Sequence, residues 1–160
     1  MESTKKSYQR AYRLVSPKRE SEALNGKGAA LFGGRWNSEG TRLVYMSLHR
    51  SLSALETLVH LSTPGARKLR FILLTIRIPT ESIHDFRNSV PDHWNEGPQG
   101  MRHTQKLGDD WVRRKHSLAL LVPSAVIQEE ANLIVNPLHK AAGTLKIEDS
   151  RNFYFDGRLH

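Results

Sequence analysis

Residues 71–78, with the sequence FILLTIRI, decide the class of fold. Six of the eight residues are apolar, and three of those six are the β-branched residue isoleucine. A nearly continuous apolar run of this length is typical of a strand that is covered on both faces. The chain therefore needs further elements on each side of this strand.

Shorter apolar runs elsewhere predict the other strands, at residues 11–15, 43–47, 118–122, 133–136, 144–147 and 153–155. Two helices are predicted, one capped by Ser51 and ending near Leu61, the other over residues 104–115. Residues 25–40 are rich in glycine and predict no regular element, and residues 79–102 predict a loop with room for a short turn of helix. Because helices do not alternate regularly with strands, the pattern favours an α+β fold.

The composition limits the chain to ordinary globular classes. Its 160 residues are 38% hydrophobic and 25% charged, without a linker or a repeat, which predicts one compact domain over residues 1–160 with a core at about 11–160. The absence of cysteine excludes disulfides, iron–sulfur clusters and thiol nucleophiles. No apolar run is long enough to span a membrane, and the start MESTKKSYQR lacks the apolar stretch of a signal peptide. We therefore expect a soluble, cytoplasmic protein that does not bind a membrane.

The charge is strongly positive and unevenly placed. The formal net charge is +8, and residues 1–50 hold 10 Lys and Arg against 4 Asp and Glu. Such an excess indicates an anionic partner or substrate, which includes nucleic acids, phosphorylated small molecules and acidic proteins.

Arg35 is the first candidate functional residue. It stands in Gly33-Gly34-Arg35-Trp36-Asn37, where the glycines let the backbone approach a ligand closely. The arginine offers a planar set of donors suited to phosphate or carboxylate, and the tryptophan offers a flat stacking face. The motif is not a Walker A sequence. The alternative is a surface turn whose arginine is merely solvated.

Glu56 is the second candidate. Leu52, Leu55 and Val59 form one apolar stripe of the first predicted helix, and Glu56 lies at the edge of that stripe. A carboxylate there must be paired, hydrogen-bonded or protonated, and buried carboxylates are frequent at active sites. The alternative is a structural ion pair with a neighbouring arginine.

Tyr45 and Ser124 are weaker candidates. Tyr45 alternates with Val44 and Met46, so it is also explained as an aromatic core residue with a satisfied hydroxyl. Ser124 follows the apolar strand that Pro123 ends, without the Gly-x-Ser-x-Gly elbow of a serine nucleophile. A hydrogen bond to the backbone or to a ligand is the role that this position favours.

Metal and nucleic-acid chemistry find little support in the sequence. The eight histidines show neither His-Glu-x-x-His nor His-x-His spacing, so we expect no metal site. No RRM, KH, zinc-finger or recognition-helix signature accompanies the positive charge.

In combination these motifs resemble the RES domain, the toxin half of bacterial RES–Xre toxin–antitoxin pairs. The resemblance runs from residue 12 to the C-terminus and depends on the order and spacing of eight blocks. The blocks are Tyr12-Arg13-Leu14, Gly33-Gly34-Arg35-Trp36-Asn37, Val44-Tyr45-x-Ser47, Ala54-Leu55-Glu56 with His60, Gln105-x-Leu107-Gly108-Asp109-x-Trp111, Val122-Pro123-Ser124-Ala125-Val126, Glu130-x-Asn132 with Asn136-Pro137-x-His139, and Phe155-Asp156-x-Arg158-Leu159. The family name denotes Arg, Glu and Ser, which fall here on Arg35, Glu56 and Ser124. Lys140 and Met46 depart from the family pattern at positions of minor weight.

The resemblance implies an ADP-ribosyltransferase-like α+β fold of mixed sheets with a few flanking helices. It also implies an enzyme that takes NAD⁺ as substrate, needs no bound cofactor, and cleaves the nicotinamide–ribose bond. Hydrolysis would use water and phosphorolysis would use inorganic phosphate as co-substrate, and either reaction depletes cellular NAD⁺ and arrests growth.

The resemblance also assigns residues to that site. It implies catalytic roles for Glu56, which would stabilise the oxocarbenium-like ribose, and for Arg35, which would bind the pyrophosphate. Tyr45 would stack on the nicotinamide ring, and Ser124 would hydrogen-bond Arg35 or the ribose. The implied NAD⁺-binding residues are Arg13, Gly34, Trp36, Asn37, Ser47 and Asn136.

Two other functions remain open at this point. A mono-ADP-ribosyltransferase of the same fold would attach ADP-ribose to a macromolecule, and a basic toxin would bind or cleave RNA. For the NAD⁺-cleaving toxin, the resemblance implies a homodimer within a larger complex and an Xre-type helix-turn-helix antitoxin that blocks the pocket. The antitoxin would carry the DNA recognition, so this chain itself would bind no nucleic acid.

Overall fold

One seven-stranded sheet organises residues 6–159, which are the residues that the computed structural model describes. Its strands are β1 (Tyr8–Val15), β2 (Val44–Ser47), β3 (Phe71–Pro79), β4 (Ile83–Asp85), β5 (Ala119–Pro123), β6 (Ala131–Val135) and β7 (Lys146–Phe153). The α-helices are α1 (Lys27–Phe32), α2 (Arg50–Leu58), α3 (Pro64–Arg67) and α4 (Gly97–Arg114). Short 3₁₀ helices occupy Pro17–Glu22, Thr80–Ser82, Arg87–Ser89 and Ala142–Thr144. The strand order is β4-β5-β6-β2-β1-β3-β7, with β4 parallel to β5 and the other pairs antiparallel.

The decisive apolar run forms β3, which is covered on both faces as predicted. Ile72, Leu74 and Ile76 enter one buried cluster, and the alternating residues Phe71 and Leu73 enter another on the opposite face. The mixed sheet with a few helices confirms the α+β class.

The sheet is nearly divided between β1 and β2. β1 pairs with β3 along all of its eight residues, but it pairs with β2 only at Tyr12 and Ser47. Beyond that pair the two strands separate, so backbone groups of β2 on this side need other partners. This opening lies next to the candidate residue Tyr45.

Two predicted features of the helices are wrong. α2 begins after His49 without a side-chain cap, so Ser51 does not cap it, and the helix ends at Leu58. Leu52 is fully buried, whereas Leu55 and Val59 are 36% and 59% exposed, so the apolar stripe predicted for this helix is only partly buried.

Three other segments differ from the prediction. Residues 25–40 contain the short helix α1, because two alanines and a leucine follow Gly28 and a helix of six residues tolerates one glycine. α4 begins at Gly97, seven residues earlier than predicted, since the proline after it occupies the first helical turn, where proline is favoured. β4 lies within the predicted loop of residues 79–102.

The C-terminal strand was predicted as two pieces. β7 is instead one continuous edge strand over Lys146–Phe153, and its first seven residues are exposed. Backbone pairing with β3 holds it, so its polar sequence carries no apolar pattern by which it could be recognised. Residues 154 and 155 lie beyond its end.

Candidate functional site

Glu56 is held by one of its two carboxylate oxygens. Its Oε1 accepts a hydrogen bond from Ser124 Oγ at 2.7 Å and another from Asn132 Nδ2 at 2.5 Å. Within residues 6–159 no group donates to Oε2, and no Lys or Arg forms an ion pair with Glu56. The side chain is half-buried. One oxygen is thus anchored while the other is left for a ligand.

Ser124 directs its proton at Glu56. The hydroxyl oxygen accepts hydrogen bonds from the backbone N–H groups of Val126 and Ile127, at 3.0 and 3.1 Å. A hydroxyl has two acceptor positions and one proton, so the proton is left to donate to the carboxylate. Ser124 is fully buried, directly after β5. It hydrogen-bonds Glu56 and not Arg35, which was one of its two predicted partners.

Asn132 completes the support of Glu56. Its Oδ1 accepts a hydrogen bond from Ser47 Oγ at 2.7 Å, so its amide group is turned toward the carboxylate. Asn132 and Ser47 face each other across β2 and β6. The sequence reasoning included Asn132 in a family block but gave it no role. Asn132 is half-buried and lies 76 residues from Glu56 along the chain, so no sequence pattern pointed to this contact.

Tyr45 fixes the loop that bears Arg35. Its hydroxyl donates to Asn37 Oδ1 at 2.7 Å and accepts the N–H of Trp36 at 2.9 Å. Gly34 lies so close that an added Cβ would come within 2.6 Å of the Tyr45 hydroxyl. Burial raises the pKa of Tyr45 above its ordinary range, so the hydroxyl remains protonated at neutral pH.

Helix α4 holds the same loop from the other side. Thr104 Oγ1 donates to the carbonyl of Arg35 at 2.5 Å, and Gln105 Nε2 donates to the carbonyl of Gly34 at 2.9 Å. Gly108 approaches the loop so closely that an added Cβ would lie 1.7 Å from the carbonyl oxygen of Trp36. The spacing of these three helical residues places them along one face of α4. The block Gln105-x-Leu107-Gly108 therefore supports the arginine loop.

The guanidinium of Arg35 has no acidic partner among residues 6–159. It lies 5.7 Å from the ring centroid of Trp94 and makes a long hydrogen bond of 3.4 Å to the carbonyl of that residue. No carboxylate within the described range 6–159 forms an ion pair with it. The side chain is half-buried, so its remaining donors are available to an anion.

Tyr45 connects the two parts of the site. Tyr45 and Ser47 are two residues apart on β2, so their side chains lie on the same face of the sheet, about 7 Å apart along the strand. Tyr45 holds the Arg35 loop, and Ser47 leads through Asn132 to Glu56. The structure thus brings Arg35, Tyr45, Glu56 and Ser124 to one face of the sheet.

Four of the residues predicted to bind NAD⁺ make internal contacts. Trp36 is 3% exposed and stacks on Trp94 with ring centroids 5.9 Å apart. Asn37 is fully buried, and its amide donates to three backbone carbonyls. Ser47 binds Asn132. Asn136 lies apart from this group, fully buried, with its amide on the carbonyl of Val112. 

Arg13 lies on the other face of the sheet from Glu56. Side chains alternate along β1, so Arg13 points to the same face as Ala11 and Val15. Leu14 points to the opposite face, where it packs in the cluster that includes Ala54 of α2. Arg13 Nη1 donates to the carbonyl of Tyr45 at 2.7 Å, across the opening between β1 and β2. Burial, with the charge of Arg19 as a smaller cause, lowers the pKa of Arg13 to about 10.

A cavity of about 510 Å³ lies beyond Trp36, between α4 and β5. Phe86 and Trp111 form aromatic walls, and Arg114 and His116 line the cavity as well. Neither Glu56 nor Arg35 lines it. The lining combines this aromatic surface with the guanidinium of Arg114 and the carboxylate of Asp110.

The described residues contain neither a cluster of metal ligands nor a membrane-spanning helix. Over residues 6–159 no group of three or more His, Asp or Glu side chains is arranged to hold a metal ion. Of the helices in that same range, none is long and apolar enough to cross a membrane.

Comparisons with known proteins agree with the fold and the order of these elements. The family described as RES domain matches residues 10–156. A protein of Photorhabdus laumondii named "Toxin Res" is 39% identical over 155 residues, covering 92% of this chain and 95% of its own. A protein of Sphingobium named "Prs ADP-ribosylating toxin" is 35% identical over 144 residues, covering 88% of each chain. A structure titled as the M. tuberculosis MbcT–MbcA toxin–antitoxin complex matches with a TM-score of 0.67 and 19% identity, over 93% of this chain and 86% of that one.

The fold and the site define an α+β protein with a carboxylate anchored through one oxygen and an arginine that has no acidic partner in the described part of the chain. The family match, with relatives of more than 30% identity along most of both chains, identifies the protein further. The chain belongs to the RES domain family.

Proposed function

We propose that this protein is the toxin of a toxin–antitoxin pair and that it depletes NAD⁺ by cleaving the nicotinamide–ribose bond. The observation that carries the proposal is the state of Glu56, with Oε1 anchored by two donors and Oε2 without one among residues 6–159. The names of the relatives support the toxin role. The reaction itself rests on the residues described above.

Glu56 has the chemistry that this cleavage needs. Nicotinamide leaves as a neutral molecule with the electron pair of the broken C–N bond, so no strong general acid is required. The ribose develops positive charge at its anomeric carbon, as in other glycoside cleavages. Oε2 of Glu56 stabilises that charge or accepts a hydrogen bond from a ribose hydroxyl. Water or inorganic phosphate then forms the new bond to the anomeric carbon and gives up a proton.

Arg35 binds the negative part of the substrate. Its planar donors match the oxygens of a pyrophosphate, and no carboxylate of the described chain competes for them. The ring of Tyr45 offers a surface for nicotinamide between Arg35 and Glu56. The cavity beyond Trp36 is lined by aromatic residues and accommodates the adenosine half.

An antitoxin partner belongs to the same proposal. The structural neighbour at 19% identity is titled as a toxin–antitoxin complex, which makes such a partner an attractive expectation here. We expect an Xre-type helix-turn-helix antitoxin that covers the Arg35 and Glu56 face, and a homodimer of this chain within the complex. Both proteins would act in the cytoplasm, where NAD⁺ is abundant.

The test is to incubate the purified protein with NAD⁺, with and without phosphate, and to separate the products by chromatography. Release of nicotinamide with ADP-ribose indicates hydrolysis, and formation of ADP-ribose 1″-phosphate indicates phosphorolysis. Glu56→Gln should reduce turnover by at least about a hundredfold. Glu81→Gln, which changes an exposed carboxylate on the 3₁₀ helix Thr80–Ser82, is the matched control and should be fully active. Full turnover by Glu56→Gln would remove the basis of the proposal.

Transfer of ADP-ribose to a protein is the second candidate. The observation that favours it is the relative named "Prs ADP-ribosylating toxin", at 35% identity. The same site serves both reactions, because only the acceptor of the ribosyl group differs. Labelled NAD⁺ distinguishes them: transfer marks a protein band in a cell extract, whereas cleavage leaves all of the label in small molecules.

A further inference from the structure

The outward side of helix α2 presents two apolar residues to solvent. Leu55 and Val59, the residue directly after α2, are one helical turn apart, and both are exposed. The inward side of the helix is packed, because Leu52 is fully buried and Ala54 contacts a core cluster of the sheet. α2 therefore carries Glu56 between a buried side and an exposed apolar side.

The segment after α2 adds positive charge that the chain does not neutralise. Residues 57–80 include four arginines and lysines and no aspartate or glutamate. Three of these cations, Arg67, Lys68 and Arg70, form no ion pair within residues 6–159, and Leu69 between them is exposed. The Nε of Arg67 is buried without a hydrogen-bond partner in the same range. These cations are available to a partner that brings its own carboxylates.

The apolar pair and the cations lie on neighbouring parts of the surface. Leu61, two residues after Val59, packs against the same core cluster as α2, and that cluster contains Phe71. Phe71 begins β3 and comes two residues after Leu69. Both ends of the intervening segment are thus fixed on one cluster, which keeps Leu69 close to α2. We call six residues the α2–α3 surface: Leu55, Val59, Arg67, Lys68, Leu69 and Arg70.

We propose that the α2–α3 surface is the docking site of the antitoxin, and that it binds an amphipathic helix whose apolar stripe is bordered by acidic residues. This docking site rests on the toxin–antitoxin function proposed above and adds the place and the chemistry of the contact. Exposed apolar residues suit the apolar side of a helix, and the cations beside them attract carboxylates. A second copy of this chain fits less well, because its formal net charge of +8 is repelled by a cationic surface. Nucleic acid fits the cations but leaves the apolar residues unmatched.

The place of the surface links binding to inhibition. Leu55 directly precedes Glu56 in α2, and no residue in the range 6–159 donates to Glu56 Oε2. A helix seated on Leu55 and Val59 therefore lies beside that oxygen and narrows the approach of a substrate to it. The antitoxin then inhibits the enzyme without contact to the reacting atoms.

The test is isothermal titration of the wild type and of surface variants with the antitoxin, used as the purified protein that the partner gene of the pair encodes. Val59→Gln and Lys68→Glu change exposed side chains and leave the core intact. Each should weaken binding by about tenfold or more. Added salt should weaken binding of the wild type more than binding of Lys68→Glu, because the wild type has the larger electrostatic attraction. The matched controls are Ile147→Gln on β7 and Lys18→Glu, which change exposed residues outside the α2–α3 surface and should bind like the wild type.

NAD⁺ turnover of the same variants keeps the docking site and the proposed reaction apart. Val59→Gln and Lys68→Glu should cleave NAD⁺ like the wild type without antitoxin, and should need about tenfold more antitoxin for half inhibition. A wild type that cleaves no NAD⁺ but shows the expected pattern of binding would refute the proposed reaction and support the docking site. Antitoxin binding that both variants leave unchanged, or no binding by the wild type, would overturn the docking site. Binding of the wild type to anionic phospholipid vesicles or to a DNA duplex, lost in both variants, would overturn it as well, because the surface would then serve a different class of partner.

Discussion

Removal of a single oxygen, by Tyr45→Phe, tests how the arginine loop is held. The variant keeps the aromatic ring and removes the hydroxyl that joins Asn37 Oδ1 at 2.7 Å and the N–H of Trp36 at 2.9 Å. Both partners belong to residues that are at most 3% exposed, so water does not replace the lost bonds. An unpaired buried polar group costs about 1–3 kcal/mol, so the two groups together cost about 2–6 kcal/mol of unfolding free energy. At about 2–4 °C per kcal/mol for a chain of this length, the melting temperature should fall by about 4–24 °C.

The assay is thermal unfolding followed by circular dichroism, together with NAD⁺ turnover below the melting temperature of the variant. Tyr154→Phe is the matched control, because Tyr154 is 61% exposed and lies outside the sheet, and its melting temperature should not change. A melting temperature of Tyr45→Phe equal to that of the wild type would refute the role given to the hydroxyl.

A substitution at Gly34 tests the same contact between the arginine loop and the Tyr45 hydroxyl. Gly34→Ala places a methyl group 2.6 Å from the Tyr45 oxygen, and its backbone conformation does not require glycine. The alanine should therefore destabilise the wild-type protein more than it destabilises Tyr45→Phe, with an interaction of about 1 kcal/mol or more. Additive effects of the two substitutions would mean that the hydroxyl does not press on this position.

Alkaline pH provides an independent test of the same hydroxyl. Burial raises the pKa of Tyr45 in the folded protein above its ordinary value of 10.0. Folding therefore favours the protonated hydroxyl, and this contribution to stability is complete below pH 10 and is lost as the pH rises above it. Urea unfolding of the wild type should show a decrease of up to about 1.4 kcal/mol per pH unit above pH 10, and Tyr45→Phe should lack that component. Parallel curves for the two proteins would contradict the assignment.

The remaining predictions concern helix α4, which packs against the arginine loop, and the support of the Glu56 carboxylate. Gly108→Ala should lower the free energy of unfolding, measured in urea, by at least about 3 kcal/mol, because the new methyl group would lie 1.7 Å from the carbonyl oxygen of Trp36. Gly143→Ala is the control, because the added methyl group there meets open space. Asn132→Ala should lower kcat for NAD⁺ cleavage by about ten- to a hundredfold with little change in KM, because it removes a charge-assisted hydrogen bond that orients Glu56. An unchanged kcat would show that Ser124 alone positions the carboxylate.

The sequence predicts those parts of the fold that apolar patterns determine. The run at residues 71–78 predicts a strand covered on both faces, and β3 confirms this because both of its faces are apolar. β7 could not be read as one strand, since backbone pairing with β3 holds it and its residues are exposed and polar. The start of α4 was missed for a local reason, because a glycine and a proline that normally indicate a loop occupy its first turn.

In the candidate site, too, some features are visible in the sequence and others depend on how the strands pair. Residue chemistry makes Arg35 and Glu56 candidates, since a lone arginine in a glycine loop and a carboxylate beside an apolar stripe are both visible in the sequence. The partner of Glu56 was not visible: Asn132 is 76 residues away along the chain and reaches it only because β6 pairs with β2. Ser124 was identified, but its hydrogen bond to the carboxylate depends on a turn that no sequence pattern specifies.

The residues of the family motifs therefore perform two physically different tasks. Asn37 and Trp36 are buried and satisfied by internal contacts, so they shape the loop, whereas Arg35 keeps free donors and Glu56 keeps an oxygen without a donor in the described structure. Loss of activity after replacement of Asn37 would consequently not show contact with NAD⁺, because three backbone carbonyls would lose their donor and the loop would loosen. A ligand contact has a different signature: replacement of Arg35 by Gln should raise KM while the melting temperature stays near that of the wild type, since among residues 6–159 the guanidinium makes only one long hydrogen bond.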